Sequence, residues 1–176
     1  MAALRILQYP DPRLRIPATP VTVFDDALQR TIDDMFDTLY GAENCAGLAA
    51  TQLDLEKPPK ITVIDFSKNK DQPTCLVNVE ILERSGETYL PEGCKSVAGN
   101  ICEPVRRAEK INVRALDRHG KPLNFEADGF MAKCIQHELD HLEGILFIDY
   151  LSPLKKKRID RKVQKALRRL AKSGRG

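Results

Sequence analysis

The chain has 176 residues, 42% of them apolar, which suits one globular domain with a core of its own. Nothing approaches the roughly 18 consecutive apolar residues of a membrane span, and the start, Met1-Ala-Ala-Leu-Arg5, lacks the long apolar core of a secretion signal. The net charge of +3 conceals an uneven spread: of 28 basic and 25 acidic groups, eleven and one fall in residues 151–176, so that stretch carries +10 and the rest −7.

The cysteines, Cys45, Cys75, Cys94, Cys102 and Cys134, are odd in number and show no C-x-x-C spacing. That argues against a disulfide framework and for a reducing, cytoplasmic setting. Near the start, Tyr9-Pro10-Asp11-Pro12 and Pro17-Ala-Thr-Pro20 hold the backbone in extended and turn geometry, as a segment wrapping the surface would be. Phe24, Leu28, Ile32, Met35, Phe36 and Leu39 then recur at helical spacing and predict a core-facing helix that stops at Gly41.

Between Glu43 and Leu53 small residues dominate and end on the amide Gln52. Small side chains let backbones approach one another or a ligand, so this run reads either as a tight turn or as one wall of a site. Residues 60–66 and 74–82 read as strands, joined by a loop. A short strand at Thr88-Tyr-Leu90 leads into the loop Pro91-Glu-Gly-Cys-Lys-Ser96, where Cys94 stands among Glu, Gly, Lys and Ser. Cys75 and Cys134 read as packing residues, and Cys102 has no evident place. Residues 110–117 and 121–126 alternate around Gly120 as a hairpin.

Asp128 is positioned to cap a second helix running to about Glu143. Within it lies Gln136-His137-Glu138-Leu139-Asp140-His141, an H-E-x-x-H pattern. Residues four apart on a helix stand one above the other, so His137 and His141 can offer two imidazoles to one metal ion, with Glu138 beside them to move a proton. A third ligand must come from elsewhere. His119 sits in the hairpin turn, which leaves the cysteines as the better source. A final helix opens with Ser152 and Pro153 and carries the stripe Leu154, Ile159, Val163, Leu167 and Leu170. These elements predict a single α+β domain, residues 1–176: antiparallel or mixed β-sheets around a central metal-binding helix, with a basic C-terminal helix over 152–172.

Three segments together resemble the motifs of the peptide deformylase family: Gly47-Leu-Ala-Ala-Thr-Gln52, Glu92-Gly-Cys-Lys-Ser96 and Gln136-His-Glu-Leu-Asp-His141. The similarity runs from Tyr9-Pro-Asp-Pro to Ser152-Pro-Leu-Lys and so covers nearly the whole chain. The resemblance implies a metal-dependent hydrolase that removes the formyl group from the N-terminal formyl-methionine of newly made polypeptides. It implies Cys94, His137 and His141 as ligands of one divalent ion, usually Fe(II), with Zn, Ni or Co as substitutes, and a water in the fourth position. Glu138 is then the proton shuttle, and the side chain of Gln52 and the backbone N–H of Lys95 are the oxyanion donors. Gly47 allows close approach of substrate. Glu92 is expected to pair with Arg107, either to hold the cysteine loop or as an ordinary surface ion pair.

Four positions depart from the family pattern: Cys45 where a Gly is usual, Lys95 in place of an apolar residue, Ala98 in place of a Pro, and residues 97–106, one residue longer and without the usual basic side chain. They bear on substrate handling rather than on the chemistry, and Lys95 with Lys133 would favour acidic peptides. Two other readings are a zinc peptidase on the same helix and a non-catalytic paralogue that binds ribosomes. The basic C-terminal helix, with Asp160 as its one acid, is expected to dock on an anionic surface, the ribosome being the one the resemblance implies.

Overall fold

A computed structural model describes residues 3–172. Three helices, α1 (Asp26–Gly41), α2 (Gly129–Leu142) and α3 (Pro153–Lys172), accompany seven strands. Strands β1 (Gly47–Ala49), β2 (Ile61–Ile64), β3 (Thr74–Ser85), β6 (Lys110–Leu116) and β7 (Pro122–Asp128) form a five-stranded sheet in the order β1-β2-β3-β6-β7. Strands β4 (Thr88–Gly93) and β5 (Cys102–Arg107) form a separate ribbon. Every named strand pair is antiparallel.

The sheet is covered on both faces because its central strands are apolar at successive positions, not alternate ones. Leu48, Val63 and Val77 face α1, through Ile32, Met35 and Leu39. Their neighbours Ala49, Ile64 and Leu76 face α2, through Ala132, Ile135, Leu139 and Leu142. The two-residue period of a strand sends neighbours to opposite faces, so β2 is buried along its whole length. Asp25 caps α1, its carboxylate accepting the Leu28 N–H at 2.9 Å.

The start of α2 differs from the sequence expectation. Asp128 occupies the cap position, but its side chain makes no capping hydrogen bond. Gly129 enters the helix with φ of +51° and gives its N–H to the carbonyl of Glu109, in the turn just before β6, so that turn and not the Asp128 side chain anchors this end. The N-terminal segment wraps the body as expected and also plugs it: Leu7 and Leu14 are buried, and the Leu7 N–H donates to the Gln52 carbonyl at 2.7 Å.

A third apolar cluster lies under α3. Ile159 and Val163 pack with Val97, Ile101, Val105 and Phe147, and Cys94 is in contact with this group. The predicted stripe packs on the body through Ile159, Val163 and Leu167, while Leu154 and Leu170 are 65% and 42% exposed.

Candidate metal centre

The site assembles where α2, the end of β4 and the turn after β1 converge. His137 and His141 lie on adjacent turns of α2, with Nε2 atoms 3.2 Å apart. The Sγ of Cys94 is 3.2 Å from His141 Nε2, and the three potential ligand atoms all fall within 4.8 Å of one another. A tetrahedral ion with ordinary metal–N and metal–S bonds has ligand–ligand edges of about 3.3–3.6 Å, so the observed spacing fits one ion with little movement. The donor set suits it too: a thiolate and two imidazoles bind first-row divalent metals and leave one position open.

What surrounds the cluster orients it. His137 Nδ1 is 2.9 Å from Glu92 Oε2, which leaves Nε2 facing Cys94 and His141. Glu92 is buried and takes a two-pronged hydrogen bond from Arg107, at 2.8 and 3.0 Å. Arg107 also donates to Asp140 at 2.6 Å, and Asp140 accepts the Tyr150 hydroxyl at 3.0 Å. The pairing of Glu92 with Arg107 is thus an interior clamp behind a site histidine. Burial opposes ionisation of Glu92, yet the hydrogen bonds from Arg107 and His137 hold its carboxyl at about 2. The two histidines are pulled apart. For His137, burial favours the neutral ring but Cys94 and Glu92 win and raise its pKa, whereas burial and the His137 charge lower that of His141.

Glu138 is 3% exposed and its Oε2 has no protein partner, as has Nδ1 of His141. Burial pushes the Glu138 carboxyl up to about 7; His137 pulls against the rise and Glu92 adds to it. A buried carboxylate with one oxygen unpaired and an affinity for protons near neutrality is what proton transfer at such a centre requires. Opposite it stands Gly47. A Cβ there would lie 2.9 Å from Glu138 Oε1 and 3.0 Å from Cys134 Sγ, so the missing side chain makes room for the carboxylate. Gln52 is fixed at one end by the Ala49 N–H, which donates to Oε1 at 2.9 Å. Its amide nitrogen consequently points to Ser96 Oγ at 3.1 Å and Cys94 Sγ at 3.4 Å. Lys95 follows Cys94, and its carbonyl is held by Gln8 Nε2 at 2.8 Å.

All seven residues singled out from the sequence, Cys94, His137, His141, Glu138, Gln52, Gly47 and Lys95, are gathered here, six of them around one cavity of about 470 Å³ and His141 behind it. Sequence reasoning missed Asp140 and Tyr150 as outer anchors of Arg107, and Ser96 and Gln8 as supports of the cysteine segment. Cys102 now has a place: it pairs with Gly93 across the ribbon and lines the cavity. Cys45 is 5% exposed in the core, its thiol donates to the Gly47 carbonyl at 3.3 Å, and burial pushes its pKa up to about 12. Its φ is not positive, so a cysteine meets no backbone obstacle there.

A buried H-E-x-x-H helix, completed by one cysteine from a second segment and open on the side of a carboxylate, defines a metal-dependent hydrolase. The model of the polypeptide deformylase family matches residues 3–157, and the chain belongs to that family. Peptide deformylase 1 of Coxiella burnetii is 67% identical over 164 residues, spanning 93% of this chain and 96% of that protein. Among solved structures, a peptide deformylase from Legionella pneumophila is 46% identical, with a TM-score of 0.90 over 96% of this chain and 98% of the other. That from Ehrlichia chaffeensis in complex with actinonin is 34% identical, with a TM-score of 0.86 over 94% and 98%.

Proposed function

We propose that this chain deformylates the N-terminal formyl-methionine of newly made polypeptides at the Cys94–His137–His141 centre. The observation that carries the reading is the unpaired Oε2 of buried Glu138 beside a three-ligand cluster with one side open. Cys94, His137 and His141 would hold one divalent ion; membership of the deformylase family makes Fe(II) the expected occupant, with Zn, Ni or Co able to substitute. The ion's contribution is Lewis acidity, which makes water a competent nucleophile toward the formyl carbon at neutral pH.

The remaining roles belong to the chain. Glu138 takes the proton from the attacking water and delivers it to the leaving amine nitrogen. Gln52 Nε2 and the Lys95 N–H donate to the formyl oxygen as charge develops on it. Gly47 keeps the wall beside Glu138 flat, so an extended peptide can lie against β1. Glu92 and Arg107 hold the His137 ring. A cytoplasmic setting is supported by five cysteines that are all free. No helix among the described residues is long and apolar enough to cross a membrane. The anionic partner of α3 is the ribosome: eight of its cations, such as Arg161, Lys165 and Arg168, are exposed, while Lys155 and Lys156 are engaged with Glu103 and Asp149.

An anaerobic assay of formyl-Met peptides, with metal analysis of the same sample, tests the reading. Release of formate proportional to bound metal is expected. Cleavage of unformylated peptides at an internal bond, without formate release, would identify a peptidase instead.

A further inference from the structure

Two lysines at the cavity have no carboxylate partner. Lys95 and Lys133 both line it, and no salt bridge is formed by either among the described residues. The Lys133 ammonium is held in place: it donates to the Pro91 carbonyl at 3.1 Å and lies 4.8 Å from the centre of the Phe130 ring. Phe130 is in turn braced edge-on by Phe66, 5.0 Å away. An ammonium has three donors, so two remain after Pro91 is satisfied.

The negative charge of the cavity is spent elsewhere. Glu92 is bound by Arg107 and His137, and Glu138 is buried at the floor. The outer part of the cleft therefore presents fixed positive charge. Lys133 stands four residues before His137 on α2, about 6 Å along the axis. An extended peptide advances about 3.3 Å per residue, so with its formyl group at the ligand cluster, the side chain after methionine comes level with Lys133.

We propose that Lys133, with Lys95, makes this enzyme select formyl-methionyl peptides carrying Asp or Glu immediately after the methionine; the inference rests on the deformylase reading above. A cation within about 4 Å of a carboxylate in a water-like medium gives at most about fivefold in affinity, and screening with side-chain mobility brings each lysine to about threefold between Asp and Lys peptides. Both contacts exist before and during the reaction, so the gain falls on KM and leaves kcat alone.

The test compares formyl-Met-Asp, formyl-Met-Ala and formyl-Met-Lys peptides with blocked C-termini on the metal-loaded enzyme. At low salt kcat/KM is expected to be about tenfold higher for the Asp than for the Lys peptide, through KM, and the ratio to shrink below about twofold near 0.5 M NaCl, where the screening length is only a few ångströms. Lys133→Met should lower the ratio to about threefold, Lys133→Arg should retain it and Lys133→Glu should abolish it. Lys133 is half-buried, with its ammonium on the Pro91 carbonyl and over the Phe130 ring, so circular dichroism melts of each variant accompany the kinetics. Turnover of the Ala peptide with equal KM for Asp and Lys peptides overturns the proposal, as does a preference undiminished in Lys133→Met. No formate from any of the three would overturn the deformylase reading and this proposal with it.

Discussion

His137 meets the buried carboxylate of Glu92 through Nδ1, at 2.9 Å, and that contact decides which nitrogen faces the ligand cluster. Glu92 in turn depends on Arg107, whose side chain is 5% exposed. Partners behind a metal-binding histidine typically contribute 10- to 100-fold in metal affinity. Glu92→Gln should therefore raise the metal dissociation constant by about that factor, read by chelator competition, with the fold retained. Arg107→Met should be worse, because it strands Glu92 and Asp140 as buried charges. Breaking such a pair costs about 3–5 kcal/mol, measurable in urea unfolding. Equal metal affinity in wild type and Glu92→Gln would show that the ring needs no such anchor.

Gly47 offers a test that leaves every functional group in place. An added Cβ would sit 2.9 Å from Glu138 Oε1, inside van der Waals contact. Gly47→Ala must push the carboxylate aside, and a displacement of about 1 Å at a reacting group can cost about 100-fold in rate. We expect kcat to fall by one to two orders of magnitude with metal content unchanged.

Glu138 and Cys94 separate proton transfer from ligation. Glu138→Gln is expected to keep the metal and lose about 10²- to 10⁴-fold in kcat, since an amide accepts no proton at neutral pH. Cys94→Ser should instead release or exchange the metal, a hydroxyl being a poor substitute for thiolate. Metal loss in step with activity in Glu138→Gln would make that residue structural.

How the site could be read from the sequence depended on which contacts were local. His137, Glu138 and His141 are one helical turn of sequence, and their spacing alone put them on one face. The hairpin around Gly120 was equally legible, because its turn and its alternation are local. The ribbon was not. Pro91 and Pro104 sit opposite each other in it, and proline usually argues against a strand. A two-stranded ribbon tolerates them, which is why β4 runs on to Gly93 and why Cys102 had no evident place. Arg107, Asp140 and Tyr150 come from β5, α2 and the turn Phe147–Tyr150; only the folded chain brings them together.

Asp149 ties both ends of the chain to the body, accepting from Arg15 on one side and from Lys156 of α3 on the other, at 2.7 Å. Burial works against its charge, but these donors and the Leu146 N–H lower its pKa to about 2. A carboxyl held lower in the folded than in the unfolded state contributes stability above its unfolded pKa, and that stability disappears as pH falls through the folded one. Asp149→Asn should cost roughly 1–2 kcal/mol at pH 7 once solvent screening is counted. Denaturant unfolding of both proteins checks this: the difference between them should hold from neutrality to about pH 4 and be largely lost by about pH 2.

The basic helix calls for substitution in place and not removal. Ile159 and Val163 are 2% and 1% exposed, packed on Val97, Ile101 and Val105. Ile101 also lines the catalytic cavity, so a chain ending near Ser152 would open the core and disturb the cleft together. The charges are separable from that packing. Arg161, Lys165, Arg168 and Lys172 lie along one exposed stretch of α3, at positions where a change to Gln keeps the helix and buries nothing new. If α3 docks the enzyme on ribosomal RNA, each phosphate contact contributes about −0.7 to −0.9 to the slope of log K against log salt. The fourfold Gln variant should then bind ribosomes more weakly at every salt concentration, with a slope shallower by about three, while turning over short formyl peptides like the parent. Co-sedimentation with ribosomes across a salt series measures both quantities. Identical slopes for parent and variant would mean that these four cations serve only to keep the helix hydrated.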